Sequence, residues 1–151
     1  MWRCAIKSRE LFILDQIISK TMNEFDCKTL REICSSEKPN IHVKFENDIY
    51  LITWEKRKEP SNINPHTFQF PSLFLNQILN KFFVEDRWYL LGADRSNRPM
   101  TGLGKFIVEN QNYFPKSPQY ASAIAGIMYT LNLIEYRQMP KRGKPILLKK
   151  K

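Results

Sequence analysis

The chain has 151 residues, enough for one domain or two very small packed units, and 24 Lys and Arg against 15 Asp and Glu give a formal net charge of +9. Apolar residues make up 42% and aromatic residues 13%, which excludes a disordered polyelectrolyte and leaves material for a core. The basic surplus favours a polyanionic partner, nucleic acid above all, over a neutral small molecule.

Taken in order, the chain begins with a basic start and no apolar run long enough for a signal peptide or a spanning helix. Ser8 is placed to cap a helix from Arg9 to Met22, with Leu11, Leu14, Ile18 and Met22 on one side and Phe12 and Ile17 widening the stripe. A break follows, and Asp26 is the expected cap of a short second helix through Thr29, Leu30, Ile33 and Cys34, closed before Pro39. Ile41, Val43 and Phe45 then alternate with polar residues, as do Tyr50, Ile52 and Trp54. With Asn47-Asp48 between them, they predict a two-stranded hairpin with one buried face.

Residues 59–70 hold Pro60, Pro65 and several turn formers and read as a linker or long loop, whose Phe68 and Phe70 offer an exposed aromatic surface for a homodimer. Pro71-Ser72 opens a helix with Phe74, Leu75, Ile78, Leu79 and Phe82 on one face. Val84 to Gly92 reads as a sheltered strand, and the turn-rich loop after it carries Arg95 and Arg98. Thr101 is placed to cap a helix of about two turns from Leu103 to Asn110. Ser117 and Pro118 start a longer one with Tyr120, Ile124, Ile127, Met128 and Leu131 inward and Asn132 as a left-handed stop. A strand from Leu133 to Arg137, a turn around Gly143 and a returning strand from Ile146 to Leu148 finish the chain.

A helix running into a basic-tipped hairpin is the ending of a winged helix-turn-helix unit. The expected fold class is therefore α+β: small, helix-helix-hairpin units with a winged-helix-like C-terminal half. The expected division is a first unit over 1–58, a linker over 59–70 and the winged half over 71–151.

From Arg137 to Lys151 there are seven basic residues and no acidic one. Lys141, Arg142 and Lys144 stand at the turn, where they would follow a phosphate backbone, and Lys56 and Arg57 form a second strip after the first hairpin. In the expected fold the helix from Pro118 enters a major groove and reads base edges with Gln119, Ser122 and Thr130, its small residues letting backbones approach closely. The function this implies is non-catalytic binding of double-stranded DNA, without cofactor, in transcription, replication or DNA maintenance. RNA remains open, because Trp54, Trp88 and Tyr136 are stacking surfaces if exposed.

A catalytic alternative is a metal-dependent, site-specific DNA endonuclease, in which Glu10, Glu46, Asp48 and Glu55 hold Mg²⁺ and Lys56 steadies the attacking water. Against it, Arg57 stands where such sites carry lysine, and Asp48 suits a turn. A third reading is a winged-helix subunit that binds protein. Gly102-Leu103-Gly104-Lys105 is a weak candidate for a phosphate at a helix start. Cys4, Cys27 and Cys34 are odd in number and lack C-x-x-C spacing, and His42 and His66 lie far apart. These features argue against structural zinc and for a reducing, intracellular setting, cytoplasmic or nuclear.

Overall fold

A computed structural model describes residues 24–33, 38–55, 66–94, 99–138 and 145–151. The first expected helix, Arg9 to Met22, and the expected turn around Gly143 lie outside the described residues.

The first half is a sheet. Strands β1 (Glu24–Cys27), β2 (Ile41–Glu46), β3 (Ile49–Trp54) and β4 (His66–Pro71) pair antiparallel in the order β1-β2-β3-β4. Alternation places Ile41, Val43, Phe45, Tyr50, Ile52, Trp54, Phe68 and Phe70 on one buried face. Register aligns them in cross-strand rows: Phe45 with Tyr50 and Tyr50 with Phe70, at ring separations of 4.7 and 5.5 Å. The β2–β3 turn is two residues long, and Asn47 and Asp48 take φ of 52° and 62°, the left-handed pair that such hairpin turns need.

The second half carries the helices. Helix α1 (Ser72–Gln77) continues through a wider π-type turn (Ile78–Phe82) and buries Phe74, Leu75, Ile78 and Leu79. Strand β5 (Tyr89–Leu90), helix α2 (Gly102–Asn110), helix α3 (Tyr120–Thr130), strand β6 (Ile134–Gln138) and strand β7 (Ile146–Lys150) complete the described chain. The second sheet has the order β5-β7-β6, both pairings antiparallel. Helix α3 ends as its sequence suggests: Asn132 has φ 63° and the Leu133 N–H donates to the Met128 carbonyl at 2.9 Å.

Both sheets and the helices share a core. Phe68, Phe114 and Tyr120 form its aromatic centre, with Phe68–Tyr120 at 4.8 Å and Phe114–Tyr120 at 4.7 Å. Phe74 joins it through Phe70 at 5.8 Å and Phe114 at 6.0 Å. Each such ring taken from water contributes about 1.5–3 kcal/mol, which makes this centre a large fraction of a domain's net stability.

The fold departs from the expected helix-helix-hairpin units and winged-helix-like half. Two antiparallel sheets of seven strands dominate the described residues, with only three short helices. Asp26 is in strand β1 rather than at a helix cap, and only Leu30–Glu32 behind it turn, as a single 3₁₀ turn. His66 to Phe70, assigned to the linker, form β4. Phe68 and Phe70 are 7% and 1% exposed, so they belong to the core and offer no dimer surface. The expected strand from Val84 shrinks to Tyr89–Leu90. Among the described residues no helix is long and apolar enough to cross a membrane.

Candidate nucleic-acid interface

The phosphate candidates Lys141, Arg142 and Lys144, and with them Lys56 and Arg57, lie outside the described residues. The flanks are described. Residues 139–144 connect β6 to β7, and these strands pair from Ile134 with Lys150 to Gln138 with Ile146. The last lysines are strand and core-edge residues rather than a loose tail. Lys149 pairs with Asp86 at 3.3 Å, Lys150 Nζ donates to the Leu79 carbonyl at 3.2 Å, and Lys151 Nζ donates to Asn132 Oδ1. The tie of Lys150 to the helix end costs that lysine reach toward a phosphate.

The base-reading candidates sit on α3, and α3 is a core helix. Tyr120, Ala121, Ala123, Ile124, Ala125, Gly126, Ile127 and Met128 are all buried. Ser122, Gly126 and Thr130 recur every four residues and share one face. The middle of that face is covered: a Cβ at Gly126 would lie 2.2 Å from the Lys28 carbonyl oxygen. The small residues do permit a close backbone approach, but the backbone is the chain's own 28–29 segment. Thr130 Oγ1 donates to the Gly126 carbonyl at 2.9 Å, and Ser122 is half-buried. Gln119, half-buried, receives its N-terminal order from its own N–H donating to Ser117 Oγ at 3.4 Å. Beside this face, burial pushes the Cys27 thiol up to about 12, with a hydrogen bond to Thr130 opposing the shift.

The acidic candidates do not share a place. Glu46 ends β2 and Asp48 lies in the turn, while Glu55 follows the far end of β3. The six residues of β3 separate Asp48 from Glu55 by roughly 20 Å of extended chain, against the few ångströms a shared metal requires. Glu10 and Lys56 lie outside the described residues. Among the described residues no group of three His, Cys, Asp or Glu side chains is gathered for a metal. The Gly102–Gly104 helix start is also engaged: Gly102 has φ 63°, the Gly104 N–H donates to the Leu91 carbonyl at 3.0 Å, and a Cβ at Gly104 would meet the Gly92 oxygen at 2.0 Å. Its glycines serve close packing on the end of β5.

Two histidines have defined partners. His66 Nε2 and the Tyr120 hydroxyl share a hydrogen bond of 2.5 Å, and burial raises the Tyr120 phenol above its ordinary value. His42 is exposed between Asp26 (2.7 Å) and Glu24 (3.2 Å). Its pKa is raised first by the hydrogen bond to Asp26.

Of the three stacking candidates, Trp54 is buried and Tyr136 packs edge-on against Tyr129 at 5.0 Å. Trp88 is different. It is half-buried, with the Arg137 guanidinium 5.0 Å and the Lys149 ammonium 5.8 Å from its ring centre. Beside it opens a concavity of about 410 Å³ lined by Lys81, Phe82, Val84, Arg87, Trp88, Tyr89, Leu90 and Gly102. In the sequence Trp88 reads as one more apolar residue of a sheltered strand; its cationic neighbours come from β6 and β7, some fifty to sixty positions away. Comparison with protein-family models, curated proteins and solved structures returned no match.

Proposed function

We propose that the chain binds duplex DNA without catalysing a reaction, in a reducing compartment of the cell, cytoplasmic or nuclear. The observation that carries this reading is the placement of charge. Seven cations and no carboxylate lie between Arg137 and Lys151, and the strands that flank residues 139–144 belong to one ordered hairpin packed on the core. The paired strands bring the two ends of that basic stretch, Gln138 and Ile146, side by side in the register.

Contacts by Lys141, Arg142, Lys144, Lys56 and Arg57 fall on phosphates and carry no sequence information. Eight of the eleven residues of α3 are buried, and of the base-reading candidates Gln119 and Ser122 are half-buried and Thr130 is exposed at the helix end, so this reading rests on phosphate contacts rather than on a helix laid in a groove. No catalytic or metal-dependent step belongs to this reading.

The test is fluorescence anisotropy with a labelled mixed-sequence duplex. Five phosphate contacts, at a slope of about −0.9 each, lower affinity about 500-fold between 50 and 200 mM salt. The K141A/R142A/K144A variant flattens the slope by about 2.7 while keeping the far-ultraviolet spectrum of the parent. Binding that ignores salt, or a variant that binds like the parent, rejects the proposal. A parallel titration with duplex RNA detects an RNA preference, which would likewise reject it.

A further inference from the structure

The concavity beside Trp88 has no role in a purely phosphate-directed contact. About half of its wall is ring and exposed apolar surface: Val84 is 65% exposed and Leu90 38%, two of the few large hydrophobic side chains that the described residues leave in solvent. Its rim is cationic, with Lys81 and Arg87 on it and Arg137 and Lys149 over the Trp88 ring. Three carboxylates lie near. Glu85 pairs with Arg87 at 3.0 Å, Asp86 pairs with Lys149, and Glu135 stands opposite Lys149 in the sheet register. The carboxylates of both pairs are exposed and such pairs hold weakly, so a phosphate can take the place of a carboxylate beside Arg87 or Lys149.

An occupant that is planar and apolar on its faces and anionic at its margins matches this lining. Bases inside a duplex are already stacked and offer no face, whereas an unpaired base offers one. Arg137 also belongs to β6, so the cation nearest the Trp88 ring stands on the same hairpin as the basic run.

We propose that this concavity stacks an unpaired base of a DNA strand against Trp88, with Lys81 and Arg87 on the flanking phosphates, so that the protein prefers duplexes carrying a single-stranded extension. The inference rests on the DNA-binding reading above and assigns its preferred substrate.

The experiment compares a blunt duplex, the same duplex with a short thymidine overhang, and that overhang with abasic sites, for the parent, W88A, W88F and V84E. Stacking of one base changes affinity roughly 5- to 150-fold. The expected result is a gain of at least about fivefold for the overhang, absent with the abasic overhang and lost in W88A and V84E, but largely kept in W88F. Blunt-duplex affinity and its salt slope stay at parental values in all four proteins. V84E covers the case in which W88A unfolds, since Val84 is mostly solvent-exposed. Equal affinity for blunt and overhang duplexes in the parent overturns the inference while leaving the DNA-binding reading intact. A gain that survives on abasic sites or in V84E overturns it as well. Failure to bind the blunt duplex at low salt counts against the DNA-binding reading. In that event the single-stranded thymidine oligomer alone, titrated against parent and W88F, decides the stacking claim, and no binding rejects it.

Discussion

Gly126→Ala tests the wrapping of α3 with a single methyl group. Two effects oppose each other. Alanine is the better helix former by about 0.8–1.0 kcal/mol, which on an open helix face would stabilise the protein. Here the new Cβ would stand 2.2 Å from the Lys28 carbonyl oxygen, 3.1 Å from its carbon and 3.3 Å from the Thr29 Cα. All three are backbone atoms, and none can swing aside as a side-chain tip would. Relieving the clash moves the segment between β1 and the 3₁₀ turn by more than 1 Å, at the upper end of the 1–3 kcal/mol that overpacking costs. The expected net loss is about 1–2 kcal/mol, or about 2–8 °C in Tm for a domain of this size. Urea unfolding followed by circular dichroism measures it, with the m-value unchanged. Ser122→Ala, one turn earlier on the same face, is the control and shifts stability by less than about 0.5 kcal/mol. If Gly126→Ala matched or exceeded the parent in stability, Lys28 would not cover the helix, and the face would be open to a groove after all.

Phe68→Ala removes the ring between Tyr120 and Phe114 and costs about 3–5 kcal/mol, read as a lower denaturation midpoint; a change in oligomeric state with stability intact would contradict its place in the core. The raised pKa of His42 means that the folded state binds its proton more tightly than the unfolded chain. The contribution is therefore full below the ordinary histidine value and is lost as pH rises through the folded value. Exposure limits it to roughly 0.2–1 kcal/mol, and His42→Gln removes this slope from a stability-versus-pH series. With its thiol pushed up to about 12 by burial, Cys27 resists alkylation at neutral pH in a Cys4→Ser/Cys34→Ser background and reacts only on unfolding; rapid labelling of the native protein would contradict its burial.

Local patterns in the sequence led to those parts of the fold that local patterns determine. The β2–β3 hairpin is legible because Ile41 to Trp54 alternates cleanly on both sides of Asn47-Asp48, α3 because its apolar spacing and its stop at Asn132 are complete, and α2 from the Thr101 that precedes it. Strand β1 is not, because Glu24 to Cys27 is too short to show a period and Asp26 resembles a cap. In β4 the alternation of Phe68 and Phe70 with Thr67 and Gln69 is present, but the prolines before it outweighed the pattern. Both strands exist because a neighbour supplies their hydrogen bonds, and that neighbour is invisible in a local window. The same holds for function. The basic run is legible as charge, whereas the surroundings of Trp88 arise from the pairing of β7 with both β5 and β6. The face through Ser122, Gly126 and Thr130 was visible as a site of close approach, and only tertiary structure shows what approaches.

The order β5-β7-β6 has a consequence for biosynthesis. The central strand of the small sheet follows both of its neighbours in the sequence, so β5 and β6 leave the ribosome before their common partner exists. The first sheet, a meander of sequence neighbours, joins strands with at most 13 residues between them and can assemble as it emerges, while β5 must wait for a strand more than fifty residues downstream. Nascent chains halted before Ile146 should therefore carry a formed meander beside an exposed Tyr89-Leu90 edge, the state in which chaperone capture or strand-to-strand aggregation competes with completion of the fold.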